Sequence, residues 1–266
     1  MQPDASIRIE NEGRVRILSL DNPGRKNSLN CRLYEALAAA LDAAAAEDSV
    51  RVLVITGGAR MFCSGNDLED FVEHPIRDAG HPAYRFMQRL NTYGKPVVAA
   101  VEGHAIGIGC TLLLHCDLVY AGQSAFFQLP FVALGICPEF GSTFVLPALL
   151  GRQRAAELLL LGERFDAATA ESLGLLNERV ADGKALERAL QAARKLAEAP
   201  PQALQATRRL LGNGRLAGME IAMKEELEAL IAALRGDEPA RALTAFKRQR
   251  LVDPRVCCRF VASRVA

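Results

Sequence analysis

Residues 96–117 read PVVAAVEGHAIGIGCTLLLHCD, and their pattern indicates the class of fold. Its first part, residues 96–103, is a run of small and β-branched apolar residues that predicts a buried strand. The glycines that follow allow a sharp turn, and residues 109–117 have the apolar pattern of a short helix. A strand, a glycine turn and a helix in this order predict one unit of an α/β protein whose sheet is covered on both faces.

Residues 51–68, RVLVITGGARMFCSGNDL, repeat this design. Each segment has a backbone amide directly after a glycine, Gly65 in one and Gly107 in the other. Two such amides aimed at one point would form an oxyanion hole. A single glycine turn is more often only structural. A dinucleotide-binding turn is excluded, because Leu112 stands where the third glycine of that motif is required.

Outside these segments the chain continues as strands and helices. Residues 6–10 and 14–21 predict a hairpin, residues 31–48 and 83–93 predict helices, and residues 118–122 predict a strand. After about Leu149 all patterns are helical, so we expect no more sheet there. We predict a core of residues 1–195 and a helical C-terminal region of residues 196–266 that mediates oligomerisation.

Composition excludes several classes of protein. The 266 residues contain 32 Lys and Arg against 31 Asp and Glu, so no overall charge attracts nucleic acid or an anionic membrane. The 7 cysteines are scattered, which is typical of a reducing compartment. Residues 1–13 lack a basic segment followed by an apolar stretch, so we expect no signal peptide there, and no apolar run is long enough to span a bilayer. We therefore expect a cytoplasmic protein. The four histidines show no metal-ligand spacing, so no metal site is predicted.

Three ordered motifs resemble the enoyl-CoA hydratase/isomerase (crotonase) family. They are N-P-x-x-x-N-x-L from Asn22, F-x-S-G-x-D-L from Phe62, and K-P-V-V-A-A-V-x-G-x-A-x-G-x-G from Lys95. The resemblance extends over nearly the whole chain. It implies a spiral of strand-strand-helix units, a homotrimer or hexamer, and an acyl-CoA thioester as substrate. Coenzyme A would enter as part of the substrate, with no separate cofactor.

The resemblance also assigns roles to individual positions. The amides of Asn66 and Ile108 would be the two oxyanion donors, and the Ile108 side chain, where the family usually has glycine, would narrow the pocket. Lys247 and its neighbour Arg248 would contact the coenzyme's phosphates, although a solvated helix face explains them equally well. The residues implied to bracket or line the nucleotide of coenzyme A are Lys26, Ser28, Leu29, Ser64, Asp67 and Leu68.

The carboxylates select the reaction. Hydratases of the family use two glutamates, and the equivalent positions here are Thr111 and Phe131, neither of which can act as a base. Glu139 follows Pro138, and this pair predicts the first turn of a helix, where an acidic residue is favourable without any catalytic role. The resemblance instead gives this position the lone carboxylate of the Δ3,Δ2-enoyl-CoA isomerase branch.

The sequence therefore predicts an isomerase that shifts a 3-enoyl-CoA double bond to the 2-position, with Glu139 as single acid and base. Another reaction on the same scaffold, such as hydration, ring isomerisation or hydrolysis, is the first alternative. A non-catalytic acyl-CoA-binding or interaction module is the second. Residues 71–82 are expected to form a mobile loop over the acyl chain, and His104 is expected to pack near the turn. Apolar side chains expected to line the site, or else to be plain core, are Phe127, Phe131, Leu134, Phe140 and Phe144.

Overall fold

The computed structural model describes residues 6–58, 61–213 and 216–252, with the backbone alone for residue 213 and residues 246–252. The side chains of Lys247 and Arg248 lie outside this description, as do Cys257 and Cys258. No helix in these ranges is long and apolar enough to cross a membrane.

The described chain forms two sheets and eleven helices. The larger sheet has the order β1-β2-β3-β4-β6-β9 and the smaller one β5-β7-β8. The strands are β1 (Ser6–Glu12), β2 (Val15–Asp21), β3 (Val52–Thr56), β4 (Val97–Val101), β5 (His104–Ile106), β6 (Leu118–Gly122), β7 (Phe126–Gln128), β8 (Phe165–Asp166) and β9 (Glu178–Val180). The helices are α1 (Cys31–Ala46), α2 (Leu68–Glu73), α3 (Pro82–Asn91), α4 (Ile108–Thr111), α5 (Ser142–Leu150), α6 (Arg152–Ala156), α7 (Ala167–Ser172), α8 (Ala185–Glu198), α9 (Pro201–Asn213), α10 (Leu216–Leu234) and α11 (Glu238–Val252).

The central strands of the larger sheet are buried on both faces. Every residue of β3 and β4 is buried, as their continuous apolar sequences predict. Leu53 and Ile55 of β3 point into the main core, which α1 and α3 help to form. Val52 and Val54 point to the other face, which α8 covers with a row of buried alanines. The β1–β2 pair is antiparallel, and all other pairs of this sheet are parallel.

The smaller sheet positions the second glycine turn. Strand β5 pairs with β7 in parallel and ends at Ile106, directly before Gly107. The amide of Gly107 donates to the carbonyl oxygen of Gln128 at 2.9 Å, so the turn stays attached to the end of β7. Helix α4 then begins at Ile108.

Two predictions about secondary structure were wrong in part. Strands β8 and β9 lie beyond Leu149, where only helices were expected, and β9 adds a sixth strand to the larger sheet. They contain two and three residues, too few for an alternating pattern to be visible. The helix predicted at residues 109–117 is instead the short α4 followed by a 3-10 turn over Leu112–His115.

The C-terminal helices pack against the core. Helix α10 lies against α5, and α11 lies against the 3-10 turn Val132–Leu134. The segment between that turn and α5 contains Glu139. Side chains of α10 therefore reach the part of the chain that carries the candidate base.

Candidate active site

The two glycine turns lie side by side. The amide of Cys63 donates to the carbonyl oxygen of His104 at 3.0 Å, and the amide of Ile106 donates to that of Cys63 at 3.0 Å. A Cβ atom added to Gly107 would lie 3.9 Å from the Cα of Gly65. The sheet pairing thus brings together two turns that are more than forty residues apart in sequence.

Both turns require glycine. Gly65 has φ +96°, and Gly107 has φ +55° with ψ −122°, conformations that are unfavourable for residues with a Cβ atom. Gly109 is needed for a different reason, because a Cβ there would lie 2.8 Å from the carbonyl oxygen of Cys63. The backbone after each turn is therefore fixed by local geometry.

The amides that follow the turns are those of Asn66 and Ile108. Ile108 is the first residue of α4, so its amide has no acceptor within the helix. Within residues 6–58, 61–213 and 216–252, neither amide donates to another protein group, whereas the adjacent amides of Asp67 and Gly107 do. The Ile108 side chain is fully buried in the main core.

Glu139 is a buried carboxylate in contact with Asn66. Burial, followed by the negative charge of Glu226, raises the pKa of Glu139 to about 8, and a hydrogen bond from the Asn66 side chain opposes this rise. Its Oε1 atom has no hydrogen-bond partner in the described part of the chain. A carboxyl group with a pKa near neutrality and an available oxygen is suited to proton transfer.

Tyr34 fixes the orientation of Asn66, a contact that sequence reasoning missed. The Tyr34 hydroxyl donates to Oδ1 of Asn66, so the amide nitrogen of Asn66 is the group that faces Glu139. Tyr34 lies on the buried face of α1 among leucines and alanines. A tyrosine on such a face usually has a hydrogen-bond partner for its hydroxyl, which was the available signal.

Glu139 precedes the helix rather than lying in its first turn, so that prediction was wrong. Phe140 and Gly141 have φ +63° and +68°, which ends any helical path, and α5 begins at Ser142. His115 supports this bend: its ring stacks on Phe140 at 3.7 Å, and its Nε2 donates to the Phe140 carbonyl oxygen at 2.7 Å. Helix propensity alone does not predict this bend of the backbone next to Glu139.

The family model for enoyl-CoA hydratase/isomerase matches residues 10–250. The chain belongs to the enoyl-CoA hydratase/isomerase family. Among solved structures, Pseudomonas aeruginosa OdaA superposes with a TM-score of 0.89 at 44% identity, covering 90% of this chain and 98% of that one. The α/β fold expected from the crotonase resemblance is thereby confirmed.

Relatives within the family carry out different reactions. The 2,3-dehydroadipyl-CoA hydratase of Escherichia coli is 35% identical over 92% of this chain and 96% of its own length. The 1,2-epoxyphenylacetyl-CoA isomerase of the same organism is 34% identical over 90% of this chain and 94% of its own length. Family membership therefore gives an acyl-CoA hydratase or isomerase, and the choice between them depends on the site.

The positions that the crotonase resemblance equates with the two hydratase carboxylates, Thr111 and Phe131, lie in the interior. Thr111 is fully buried, and its hydroxyl oxygen has no partner among the described residues. Phe131 is buried in the main core. Neither side chain supplies an ionisable group. Glu139, by contrast, is a buried carboxylate in contact with Asn66, the residue after Gly65.

The residues predicted to hold coenzyme A come from two strands of chain that run together. The amide of Ser64 donates to the Lys26 carbonyl oxygen at 3.2 Å, and the amide of Leu29 donates to that of Gly65 at 2.9 Å. Asp67 caps α2 and accepts from the Ser28 hydroxyl at 3.4 Å, while Leu68 begins the same helix. These six residues thus lie beside the Gly65 turn, and their contacts with a nucleotide stay a prediction.

Asn27 holds this region in place and was not singled out by sequence. It has φ +54°, a conformation that asparagine tolerates better than most residues. Its amide nitrogen donates to the carbonyl oxygens of Gly57 and Met61, both at 2.9 Å. The loop is therefore attached to the turn after β3.

Other candidate positions have simpler explanations. Phe127, Phe131 and Phe140 are buried in the main core, and Leu134 and Phe144 are half-buried. The first three residues of the predicted mobile segment 71–82 belong to α2. His104 is buried beside the ring of Phe126, and burial lowers its pKa to about 4, so it is neutral at physiological pH.

One group of side chains has atoms close enough to hold a metal. Cys31, Asp70 and His74 have potential ligand atoms within 4.8 Å of one another. The Asp70 carboxylate, however, accepts the Cys31 amide at 2.8 Å and contacts the His74 ring at 3.1 Å. Burial, followed by Asp70, raises the pKa of Cys31 to about 12, which disfavours the thiolate that a metal requires. These contacts favour a hydrogen-bonded junction between α1 and α2.

Proposed function

We propose that the protein is an enoyl-CoA isomerase that moves a double bond from the 3- to the 2-position. Glu139 removes a proton from C2 of the thioester and returns it to C4. The intermediate is a dienolate, whose charge lies largely on the thioester oxygen. The amides of Asn66 and Ile108 bind that oxygen. Each oxyanion donor is worth roughly 3 kcal/mol in other enzymes, so two lower the barrier by several kcal/mol.

One observation carries this proposal: among the described residues, the buried carboxylate of Glu139 lies against Asn66, whose amide follows the Gly65 turn. Isomerisation needs one base that can hold the proton between two carbons, whereas hydration in the family uses two carboxylates. The pKa of Glu139, raised to about 8 by burial and by Glu226, suits both acceptance and return of a proton near neutral pH.

The test is conversion of 3-hexenoyl-CoA, followed by the ultraviolet absorbance of the conjugated 2-enoyl thioester. Glu139→Gln should lose activity by at least a thousandfold, while Glu225→Gln, at an exposed glutamate on α10, should retain it. No conversion by the wild-type protein would reject the isomerase. An unimpaired Glu139→Gln variant would remove Glu139 from the mechanism.

Hydration is the second candidate, because the Escherichia coli relative is named as a hydratase. Incubation of a 2-enoyl-CoA in ¹⁸O-labelled water distinguishes the two reactions. Hydration adds labelled water to the product, whereas isomerisation changes neither mass nor oxygen content. Rapid label uptake would favour the hydratase, and a non-catalytic binding module would show neither reaction.

We also propose self-association in a reducing cytoplasm. Large apolar side chains are exposed around the π-helical turn Glu157–Leu161, where Leu160 and Leu161 are 64% and 62% exposed. The five cysteines in the described ranges are free, which suits a reducing compartment. Light scattering should give a multiple of 28.8 kDa. Joint replacement of Leu160 and Leu161 by aspartate should reduce that mass, whereas Val72→Asp on α2 should not.

A further inference from the structure

A second buried glutamate lies behind the candidate base. Glu226 is on α10, in the C-terminal helical region, and is 6% exposed. Its carboxylate accepts the amide of Gly141 at 2.6 Å, the amide of Thr143 at 3.0 Å and the hydroxyl of Thr143 at 2.6 Å. The residues that follow Glu139 are thus bound through three hydrogen bonds to one side chain from a distant helix.

Packing of α10 leaves this segment little freedom. A Cβ atom on Gly141 would lie 2.0 Å from the sulfur of Met219, and the Sγ of Cys137 donates to the backbone carbonyl oxygen of Glu226 at 3.3 Å. Contacts with α10 therefore lie on both sides of Glu139 in sequence. Because Phe140 has a positive φ, the segment needs such external contacts to keep its bend.

The hydrogen bonds distinguish the charge states of the two glutamates. Each oxygen of Glu226 accepts a hydrogen bond from a backbone amide, which can only donate, and one oxygen also accepts from the Thr143 hydroxyl. This arrangement is that of an ionised carboxylate. Glu139 has one donor, Asn66, and one oxygen without a partner in the described ranges. The negative charge of the pair is therefore held at Glu226, and Glu139 is the group that takes up a proton.

The other titratable groups near Glu226 do not neutralise it. Tyr84 of α3 and Cys137 face it, and its charge contributes, after burial, to raising the pKa of each. Burial raises the pKa of Glu226 itself, and the donors of Thr143 and Gly141 oppose that rise, with no cation among these influences in the described part of the chain. Two buried carboxylates without a cation ionise one after the other.

We propose that Glu226 is a positioning residue, which fixes the Glu139 segment through Gly141 and Thr143 and places a second negative charge behind the base. This rests on the proposed role of Glu139. It gives α10 a part in the reaction in addition to any part in self-association.

The test is the pH dependence of kcat/KM in Glu226→Gln, a substitution that removes the charge and keeps the side-chain shape. Without that charge Glu139 ionises more readily. The acidic limb of the kcat/KM profile should therefore move to lower pH by about one unit or more, with KM little changed. Glu225→Gln removes the same charge from the exposed face of α10 and should leave the limb in place. A folded Glu226→Gln with an unmoved limb overturns the proposal.

Two further measurements cover the other outcomes. If Glu226→Gln does not fold, Glu226→Asp retains the charge but is too short to hold the donors of Gly141 and Thr143 together. It should lower kcat at high pH at least tenfold without moving the limb, and a wild-type kcat would overturn positioning. If the wild-type protein does not isomerise the substrate, titration of the ¹³C carboxyl resonance of Glu139, assigned by its loss in Glu139→Gln, still decides. If Glu226→Gln leaves the titration midpoint of that resonance unchanged, the charge of Glu226 does not influence Glu139. This conclusion does not depend on turnover.

Discussion

The Asn66 side chain, whose oxygen accepts a hydrogen bond from the Tyr34 hydroxyl, is the polar group that lowers the pKa of the Glu139 carboxylate against the effect of burial. The residue whose backbone is the proposed oxyanion donor thus also orients the proposed base. Changes at Asn66 or Tyr34 should therefore affect the pH dependence of the reaction as well as its rate.

Asn66→Ala keeps the backbone amide and removes the bond to Glu139. Since this bond favours the ionised carboxylate, its loss should raise the pKa of Glu139 further and move the acidic limb of kcat/KM to higher pH. Activity at pH 7 should fall by about tenfold or more. Asn91→Ala, at the end of α3, is the control and should leave the profile unchanged. An acidic limb that stays in place in Asn66→Ala would show that the side chain does not influence the base.

Tyr34→Phe should destabilise the protein by about 1–3 kcal/mol, because the buried oxygen of Asn66 loses its donor. Tyr93→Phe is a matched control, since the Tyr93 hydroxyl is buried without a partner in the described ranges. Its removal should leave the free energy of unfolding unchanged or increase it. Urea denaturation of both variants measures the difference, and equal effects would contradict the assigned contact.

Glu139→Gln should be more stable than the wild-type protein at alkaline pH. The pKa of Glu139 is about 8 in the folded protein, whereas the ordinary value of a glutamate, taken for the unfolded chain, is 4.5. A group with a raised folded pKa contributes stability below pH 4.5 that is lost as pH rises towards 8. The total difference is on the order of 4 kcal/mol. Urea denaturation at pH 5 and pH 9 should show the variant gaining relative stability, and a constant difference would mean that Glu139 ionises normally.

Gly107→Ala should reduce activity at least a hundredfold. The added Cβ atom strains the turn, and the turn then shifts the Ile108 amide. Gly13→Ala in the β1–β2 turn is the matched control, since Gly13 has φ +57° and open space for a Cβ atom. Both substitutions should cost about 1–2 kcal/mol of unfolding free energy. Only Gly107→Ala should impair catalysis, and comparable activity losses in the two variants would indicate a general folding defect.

Much of the fold could be predicted because its signals are local. The apolar runs of β3 and β4, the alternating hairpin strands and the alanine-rich α1 each encode their structure within a few residues. The same holds for Gly65 and Gly107, whose backbone conformations only glycine adopts readily. Strands β8 and β9 were missed because pairing with distant strands, rather than their own sequence, makes them strands.

From the sequence alone we could locate the two glycine turns, note that Thr111 and Phe131 cannot act as bases, and predict Glu139 as the candidate base. The behaviour of that carboxylate depends on contacts that exist only in the folded protein. Its bend before α5, its contact with Asn66 and its proximity to Glu226 depend on segments distant in sequence. His115, which supports the bend, is 25 positions from Phe140, and Glu226 is 85 positions from Gly141. The physical reason is that burial and neighbouring charge set a pKa, and both arise only when distant segments pack together.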